Sequence, residues 1–294
     1  MRAEGAFPST QTRSIAHFLL MFFCGRYQFD LARPLVMGVV NVTPDSFSDG
    51  GQYLRTDAAL AHAQRLVSEG ADILDIGGES TRPGAQPVSV QEELDRVMPV
   101  LEALRDAPVP LSIDTRRTAV MQEAIRAGAD MVNDIGALQD AGAMRLVAGS
   151  KAAVCLMHMQ GVPQTMQLQP EYWDVVTEVS AFLHARIEAA EEAGLSRERI
   201  VADPGFGFGK TLAHNLTLLR DLSKLRELGV PVLAGMSRKS MLGVLTGQEV
   251  GNRMPSSVAA ALIAVQRGAS IVRVHDVQAT VDALKVWHAV KELE

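Results

Sequence analysis

Eight short apolar runs, separated by helix-like stretches, recur along this chain of 294 residues, and each run ends on polar residues. Alternating strands and helices predict parallel strands joined by crossover helices. Eight such units are the number in a closed (β/α)8 barrel, whose active site lies at the C-terminal ends of the strands. The pattern therefore predicts an α/β fold, a (β/α)8 TIM barrel, with the functional side chains gathered at one mouth. The predicted strands are 36–41, 73–80, 111–115, 131–134, 152–158, 200–203, 231–239 and 271–275.

The helix-like stretches carry start and stop signals that fit this alternation. Ser89 precedes two glutamates as a helix-capping residue would, and Gly70, Gly128 and Gly268 follow apolar stretches at positions typical of helix ends. Three long segments, 42–56, 79–90 and 160–172, follow predicted strands on the catalytic face, where such loops often act as lids. The predicted helices are 56–69, 90–105, 118–127, 141–148, 173–193, 212–228, 255–267 and 277–293.

Charge and cysteine content limit the partners and the compartment. The net charge of −6 argues against a nucleic-acid-binding protein. The chain has two cysteines, Cys24 and Cys155, without zinc-site spacing or a disulfide framework, which is typical of a protein of the reducing cytoplasm. Cys155 lies inside the fifth apolar run, so we expect it in the core. These features predict a cytoplasmic protein with small-molecule substrates.

The N-terminal region contains one apolar stretch, 15–24, preceded by arginines. It loosely resembles a signal peptide, but it is too short to span a membrane and no cleavage site of small residues follows. We therefore expect no membrane partner. Residues 1–18 are expected to form a disordered extension. Residues 19–294 are expected to form a single barrel, whose floor is covered by a strand or hairpin near 19–31.

Two pairs of polar residues share a spacing of two at strand ends. Arg273 and His275, like Ser237 and Lys239, would project from one side of a strand, which in a barrel is the lumen. Cationic and donor groups stacked there are typical of a phosphate site. The alternatives are a structural ion pair for Arg273 and a surface position for Lys239. Arg238 would point outward in a structural role.

Three side chains with hydrogen-bonding capacity close neighbouring strands: Asp114, Asn133 and Asp203. Buried carboxylates need partners, and an aspartate can accept two parallel N–H bonds from an amidine-like edge. We expect these residues to recognise the edge of a flat nitrogen heterocycle. Capping of the following helix is the alternative for Asp114.

The segment 203–211 is rich in glycine and ends in Gly209, Lys210 and Thr211. It does not match the phosphate-binding P-loop, because proline occupies position 204, where that motif needs a glycine. We interpret it as a tight loop that lets Phe206 or Phe208 cover a ligand. Ordinary packing of the two rings is the alternative.

The segments after the first two strands offer oxygen ligands and a cation. Asn41, at the tip of the first strand, could bind Mg²⁺ carried by phosphate oxygens, since Mg²⁺ is usually held by one or two protein oxygens together with its substrate. Arg82, in the segment after the second strand, is suited to pair with an anion. These residues predict an anionic, phosphate-bearing substrate with Mg²⁺.

Taken together, these segments resemble the bacterial dihydropteroate synthases, enzymes of folate biosynthesis. The resemblance covers residues 20 to 290 in order, and it is specific because the motifs occur together. The matching motifs are VVNVTPDSFSDGG at 39–51, DIGGESTRPG at 75–84, SIDT at 112–115, NDI at 133–135, CLMHMQG at 155–161, DPGFGFGK at 203–210, GMSRKS at 235–240 and RVHD at 273–276. Gly136 departs from the family, in which bulkier residues are common.

The resemblance implies a reaction of 6-hydroxymethyl-7,8-dihydropterin diphosphate with p-aminobenzoate, giving dihydropteroate and pyrophosphate with Mg²⁺ as cofactor, in a homodimer formed by the last two helices. The residues it implies for the pterin are Asp114, Asn133, Met157, Asp203, Lys239 and Arg273. Those for the diphosphate are Asn41, Arg82, Arg273 and His275, and those for p-aminobenzoate are Phe47, Thr81, Pro83, Phe208, Ser237 and Lys239. Those expected to act in catalysis are Asp114, Lys239, Arg273 and His275.

Elementary chemistry agrees with that reaction. Breaking the C–O bond builds negative charge on the leaving pyrophosphate, which Arg, His and Mg²⁺ would stabilise. Two alternatives remain open from the sequence. A pterin-binding methyltransferase domain would share the barrel but would not need a pyrophosphate cluster. A non-catalytic pterin-binding paralogue would not need both loops.

Overall fold

The computed structural model describes residues 21–43, 52–80, 84, 86–291 and 293. The expected N-terminal extension lies outside the described residues. The tips of the segments that follow the first two predicted strands lie outside them as well.

The predicted barrel is confirmed. Eight parallel strands form one sheet in the order β8-β7-β6-β5-β4-β3-β10-β9. A parallel bridge between Ala202 and Val232 joins β8 to the start of β9, so the first and last strands of this order meet. The strands are β3 (Leu35–Asn41), β4 (Ile73–Gly77), β5 (Leu111–Asp114), β6 (Met131–Asp134), β7 (Ala153–Met157), β8 (Ile200–Asp203), β9 (Leu233–Ala234) and β10 (Ile271–Val274).

Helices alternate with these strands, and the predictions for one strand and one helix were wrong. The predicted strand 231–239 is observed only over Leu233–Ala234; the chain then turns at Arg238, which has a φ of +59°, and an additional helix begins at Ser240. The predicted helix 212–228 is an α-helix followed by the 3₁₀ segment Leu222–Leu228. The helices are α1 (Gln52–Ser68), α2 (Val90–Ala103), α3 (Thr118–Ala127), α4 (Ala143–Ala148), α5 (Val175–Glu192), α6 (Leu212–Arg220), α7 (Ser240–Thr246), α8 (Met254–Gln266) and α9 (Val277–Lys291).

A hairpin of β1 (Met21–Cys24) and β2 (Tyr27–Asp30) covers the barrel floor, as predicted. Phe22 and Cys24 are fully buried against the lower residues of the lumen, among which Cys155 also lies in the core. Asp130 fixes the hairpin to the barrel, since its carboxylate accepts from the backbone N–H groups of Arg26 (3.3 Å) and Leu111 (3.1 Å). The floor of the lumen is therefore apolar and closed.

Higher in the lumen the inward positions become polar. Alternate residues of a strand point to the same side, so the positions two residues beyond Ile73, Met131 and Val201 also face inward. These positions carry Asp75, Asn133 and Asp203. Within the described residues, no helix is long and apolar enough to span a bilayer.

Candidate active site

A cavity of about 1090 Å³ opens at the C-terminal ends of the barrel strands. Every site residue predicted from the sequence that falls within the described residues lines this cavity. These residues are Asn41, Asp114, Asn133, Met157, Asp203, Phe208, Ser237, Lys239, Arg273 and His275. The predicted residues Phe47, Thr81, Arg82 and Pro83 lie outside the described residues.

Arg273 forms the electrostatic centre of the cavity. Its Nε donates to Oδ2 of Asp75 (2.6 Å) and its Nη2 donates to Oδ2 of Asp114 (2.7 Å). Burial disfavours the charged guanidinium, but the carboxylates of Asp75 and Asp114 outweigh that effect and raise the pKa of Arg273. A structural ion pair was the alternative to a binding role for Arg273. The ion pairs do form, and because they lie inside the cavity they belong to the site.

Asp114 does not cap the following helix. Helix α3 begins at Thr118, and its first backbone N–H donates to the carboxylate of Asp140, at 2.8 Å, and not to Asp114. Burial raises the pKa of Asp114 to about 7, with Arg273 opposing the shift and Asp75 adding to it. Two carboxylates share one guanidinium here, so the site has negative charge to spare for a ligand that donates hydrogen bonds.

Asp75 also orients Asn133. The amide Nδ2 of Asn133 donates to Oδ2 of Asp75 at 3.0 Å. An ionised carboxylate can only accept, so the amide nitrogen faces Asp75 and leaves the amide oxygen of Asn133 as an acceptor on the other side. Asn133 thus adds a second acceptor beside Asp114.

Asp203 is buried at the end of β8 and faces the same cavity. Its Oδ1 accepts the backbone N–H of Gly205 at 2.7 Å, which fixes the plane of the carboxylate. Burial raises the pKa of Asp203, and the nearby cation of Lys239 opposes that shift. Asp114, Asn133 and Asp203 together present three acceptors to a ligand.

Lys239 does not extend along the surface. Its Nζ donates to the carbonyl oxygen of Phe206 and lies 4.6 Å from the ring centroid of Phe208. Burial lowers the pKa of Lys239 to about 8, while Asp203 opposes the shift. Arg238 pairs with Asp276, to which its Nε donates at 3.0 Å, as a structural role requires, but it lines the cavity and does not point away from it as predicted.

Ser237 and His275 are joined beside the guanidinium of Arg273. The backbone N–H of His275 donates to Oγ of Ser237 at 3.1 Å, and Nδ1 of the same histidine lies 3.0 Å from that oxygen. This contact directs Nε2 away from Ser237. A phosphate oxygen in the cavity could therefore accept from Nε2.

The glycine-rich loop has the tight form that the sequence predicted. Gly205, Gly207 and Gly209 have φ values of +69°, +80° and +61°, a backbone region that favours glycine. The two rings have different positions, since Phe206 is fully buried in the core and Phe208 lines the cavity. Of the two alternatives, ordinary packing therefore applies to Phe206, and contact with a ligand remains a prediction for Phe208.

Comparison with known proteins places this arrangement in a family. Residues 37–275 match the family model described as pterin binding enzyme. The dihydropteroate synthase of Neisseria meningitidis serogroup C is 56% identical over 270 residues, which are 90% of this chain and 95% of that protein. The chain belongs to the dihydropteroate synthase family.

Solved structures of this family superpose closely. The Xanthomonas albilineans dihydropteroate synthase with 4-aminobenzoic acid is 55% identical, with a TM-score of 0.88 over 93% of this chain and 98% of that one. The Yersinia pestis dihydropteroate synthase with a sulfonamide drug complex is 51% identical, with a TM-score of 0.88 over 92% and 99% of the two chains. This synthase is therefore a transferase, and these relatives do not support the methyltransferase and non-catalytic alternatives.

Sequence reasoning missed two buried polar residues of this synthase. For Asp75, its place in the middle of an apolar strand is a usable signal, because a carboxylate there must face a partner. Lys210, at the end of the segment that does not match a P-loop, is only 2% exposed.

Two polar residues at strand ends turn away from the cavity, contrary to the expectation that all of them would converge. Asp134 accepts the backbone N–H groups of Gly136 (2.6 Å) and Leu138 (2.7 Å) in its own loop. It follows Asn133 directly, and neighbouring residues of a strand point to opposite sides. His158 packs edge-on against Phe182, with ring centroids 5.0 Å apart.

The glycine at position 205 should be indispensable to the fold of this synthase. A Cβ atom there would lie 1.9 Å from the carbonyl oxygen of His158. We expect Gly205→Ala to lower the free energy of unfolding by about 4 kcal/mol or more, since both backbone strain and a clash are introduced. Urea denaturation monitored by circular dichroism measures this change.

The matched control for that substitution is Gly194→Ala. Gly194 also has a positive φ of +98°, but nothing lies within 4 Å of the added Cβ. This control isolates backbone strain and should cost only about 1–2 kcal/mol. Equal losses in the two variants would show that the contact with His158 relaxes at no cost.

Proposed function

We propose that the barrel mouth joins 6-hydroxymethyl-7,8-dihydropterin diphosphate to p-aminobenzoate, giving dihydropteroate and pyrophosphate. The observation that carries this assignment is Arg273 held between Asp75 and Asp114 at the centre of the cavity. One guanidinium there separates a group of hydrogen-bond acceptors from a donor-bearing rim formed by Ser237 and His275. A substrate with a donor-rich ring at one end and a diphosphate at the other fits that division.

The pterin ring would lie deepest, against the acceptors. Its 2-amino group and ring N–H groups are donors, and the carboxylates of Asp114 and Asp203 and the amide oxygen of Asn133 are acceptors. Lys239 would donate to the pterin carbonyl oxygen, and Met157 would pack against the ring. Charge-assisted bonds of this kind are short and strong, so they would fix the reactive methylene in one position.

The diphosphate would lie at the rim, where Arg273 and His275 offer donors, with Arg82 assigned by resemblance. Asn41 fits a Mg²⁺ site, because its carboxamide oxygen is a suitable hard ligand at the end of β3 and the residue lines the cavity. When bound, Mg²⁺ would supply positive charge to the diphosphate oxygens. The guanidinium of Arg273 would stabilise the charge that develops on the leaving oxygen.

The p-aminobenzoate would enter last, in a shallower pocket walled by Phe208, Ser237 and the stem of Lys239. The predicted walls Phe47, Thr81 and Pro83 would complete it. The electron-rich dihydropterin can bear positive charge at its methylene as the C–O bond breaks, so the amine can attack without a protein nucleophile. Both cysteines are buried, and burial raises the pKa of both thiols, which suits neither to nucleophilic catalysis.

A coupled assay of pyrophosphate release tests the proposed function. The purified chain should release pyrophosphate only when the pterin diphosphate, p-aminobenzoate and Mg²⁺ are all present. Omission of each component in turn is the control. A chain that binds the pterin diphosphate but releases no pyrophosphate under these conditions would contradict the assignment.

Binding of p-aminobenzoate should depend on the anion site. Several of its predicted walls belong to the segments after β3 and β4, which we expect to close over a bound diphosphate. Such coupling requires that the anion interact more favourably with the closed state. Calorimetric titration should therefore detect p-aminobenzoate binding with pyrophosphate and Mg²⁺ present and little or none without them. Tight binding to the bare protein would rule this order out.

Sulfonamides, which mimic p-aminobenzoate, should inhibit this enzyme competitively. Discrimination against a mimic needs an added clash or an unpaired polar group. The residues predicted for this pocket, including Phe208 and Ser237, introduce neither, and no residue is inserted between Glu79 and Gly84. Steady-state inhibition by sulfamethoxazole at several p-aminobenzoate concentrations measures this. Full activity at drug concentrations far above the KM for p-aminobenzoate would point to a remodelled pocket, with the loop at Gly136 examined first.

We also propose that the chain forms a homodimer through α8 and α9, and that the protein is located in the cytoplasm. Exposed apolar side chains on these helices support the dimer: Ile263 is 42% exposed, Val286 68% and Val290 59%. A partner face would bury them. Sedimentation velocity should give twice the mass of the chain, and cell fractionation tests the location. A monomer at micromolar concentration would contradict the dimer.

A further inference from the structure

The buried amino group of Lys210 lies behind the glycine-rich loop, outside the cavity lining. The Nζ of Lys210 lies 2.9 Å from Nδ1 of His158, 3.0 Å from the carbonyl oxygen of Phe208 and 3.4 Å from the carbonyl oxygen of His158. Within the described part of the chain, no carboxylate oxygen lies within 4.0 Å of this nitrogen. Burial lowers the pKa of Lys210 to about 7, because an ammonium without an ion pair is costly to bury, so the retention of this lysine calls for a role.

We propose that Lys210 is a positioning residue for p-aminobenzoate, holding Phe208 in the wall of that pocket by tying the Phe208 carbonyl group to the end of β7. This inference rests on the proposed function, because it assigns Phe208 to the p-aminobenzoate pocket. Lys210 itself touches neither substrate.

The geometry of the loop makes such a tie necessary. Phe208 lies between Gly207 and Gly209, and its ring faces the cavity rather than the packed core. The orientation of the ring therefore depends on the loop backbone. A small error in the position of a substrate-contacting group can cost a large factor in rate.

Neighbouring contacts brace the same backbone from the side opposite the cavity. Tyr172 donates its hydroxyl to the carbonyl oxygen of Gly209 at 2.8 Å, and Gly207 donates its N–H to Oδ1 of Asn215 at 2.8 Å. The bond from Lys210 differs from these two because it ends on Phe208 itself. It also joins the loop to β7, whose last residue, Met157, lines the cavity.

The histidine partner is suited to accept the bond. Burial, followed by the charge of Lys210, lowers the pKa of His158 to about 3, so the imidazole is neutral at physiological pH. Its Nδ1 can then accept from the ammonium. Burial lowers the pKa of Lys210 to about 7, so the protonated amine is populated at neutral pH, and its three N–H donors meet three acceptors, namely this nitrogen and two carbonyl oxygens.

Kinetics of Lys210→Met test the proposal. Methionine retains much of the length of the side chain but removes all three donors. We expect the KM for p-aminobenzoate to rise about 10-fold, while the KM for the pterin diphosphate changes less than about 2-fold. Lys210→Gln keeps two N–H donors on a shorter side chain. This variant guards against a folding defect and should shift the same KM by about 3-fold. Lys224→Met, at an exposed lysine, is the control and should change neither constant.

A double-mutant cycle separates positioning of Phe208 from a general structural role. If Lys210 acts through Phe208, Lys210→Met should change the KM for p-aminobenzoate less than about 2-fold in a Phe208→Ala background. An equal effect in both backgrounds, or an equal rise in the KM for the pterin diphosphate, would overturn the proposal. Failure of the proposed function is distinguishable, because the unsubstituted chain would then release no pyrophosphate.

Discussion

Replacement of Arg273 by methionine is expected to reduce kcat/KM at least about 1000-fold, which corresponds to roughly 4 kcal/mol of lost transition-state stabilisation. The guanidinium is placed where charge would develop on the leaving pyrophosphate, and it also holds Asp75 and Asp114. Methionine supplies neither a charge nor a donor. The measurement is the rate of pyrophosphate release under saturating and limiting pterin diphosphate.

The same substitution should also destabilise the fold, in a way that depends on pH. It leaves the carboxylates of Asp75 and Asp114 without their cation, a loss of about 3–5 kcal/mol for a buried pair. Burial already raises the pKa of Asp114 to about 7 against the opposing charge of Arg273, so loss of the guanidinium raises the pKa of this buried carboxyl group further. A carboxyl group with a raised pKa lowers the stability of the folded chain progressively as the pH rises from its pKa in the unfolded chain to its pKa in the folded chain. The stability that Arg273→Met loses should therefore be larger near pH 7.5 than near pH 5.

Arg273→Lys separates the two effects. Lysine keeps a positive charge between Asp75 and Asp114 but loses the planar fork that contacts both at once. We expect it to recover most of the stability while activity stays at least about 30-fold below that of the unsubstituted chain. Activity near the original level in Arg273→Met would show that the leaving group is stabilised elsewhere.

The sequence was most informative where each residue's role follows from its strand. An i, i+2 spacing at the end of β10 places Arg273 with His275 on one side. Ser237 and Lys239 line the same cavity although they lie beyond the end of β9, around the turn at Arg238. The closure of the barrel then brings these pairs opposite Asp114 and Asp203. Local spacing and one topological rule together account for this part of the candidate site.

The residues that sequence reasoning missed depend on contacts between distant segments. Asp75 orients Asn133 and Arg273, which are 58 and 198 residues away along the chain. Lys210 contacts His158 across 52 residues. No local pattern encodes such partners. The positive φ of Arg238, in the turn that follows β9, is likewise not revealed by local sequence, since left-handed conformations are uncommon for arginine.

Asp203→Asn is expected to weaken binding of the pterin diphosphate by about 2–4 kcal/mol, a factor of roughly 30 to 1000 in affinity. The substitution keeps the shape of the side chain but removes its charge. It also replaces an acceptor that faces the pterin by a donor. If the asparagine oxygen keeps the bond from the N–H of Gly205, its amide nitrogen turns toward the N–H donors of the pterin, so that donor faces donor.

The stability of this variant distinguishes a binding role for Asp203 from a structural one. Burial raises the pKa of Asp203, which means that the folded chain disfavours the charged carboxylate. A neutral asparagine avoids that cost, so Asp203→Asn should unfold at the same or a higher temperature than the unsubstituted chain while binding its ligand poorly. Functional residues often lower stability in this way. Calorimetric titration with the pterin diphosphate and thermal denaturation give both quantities, and Asp221→Asn, which removes the same charge from the surface, is the control. Unchanged affinity together with a lower unfolding temperature would instead identify Asp203 as a residue that serves the loop at Gly205 and not the pterin.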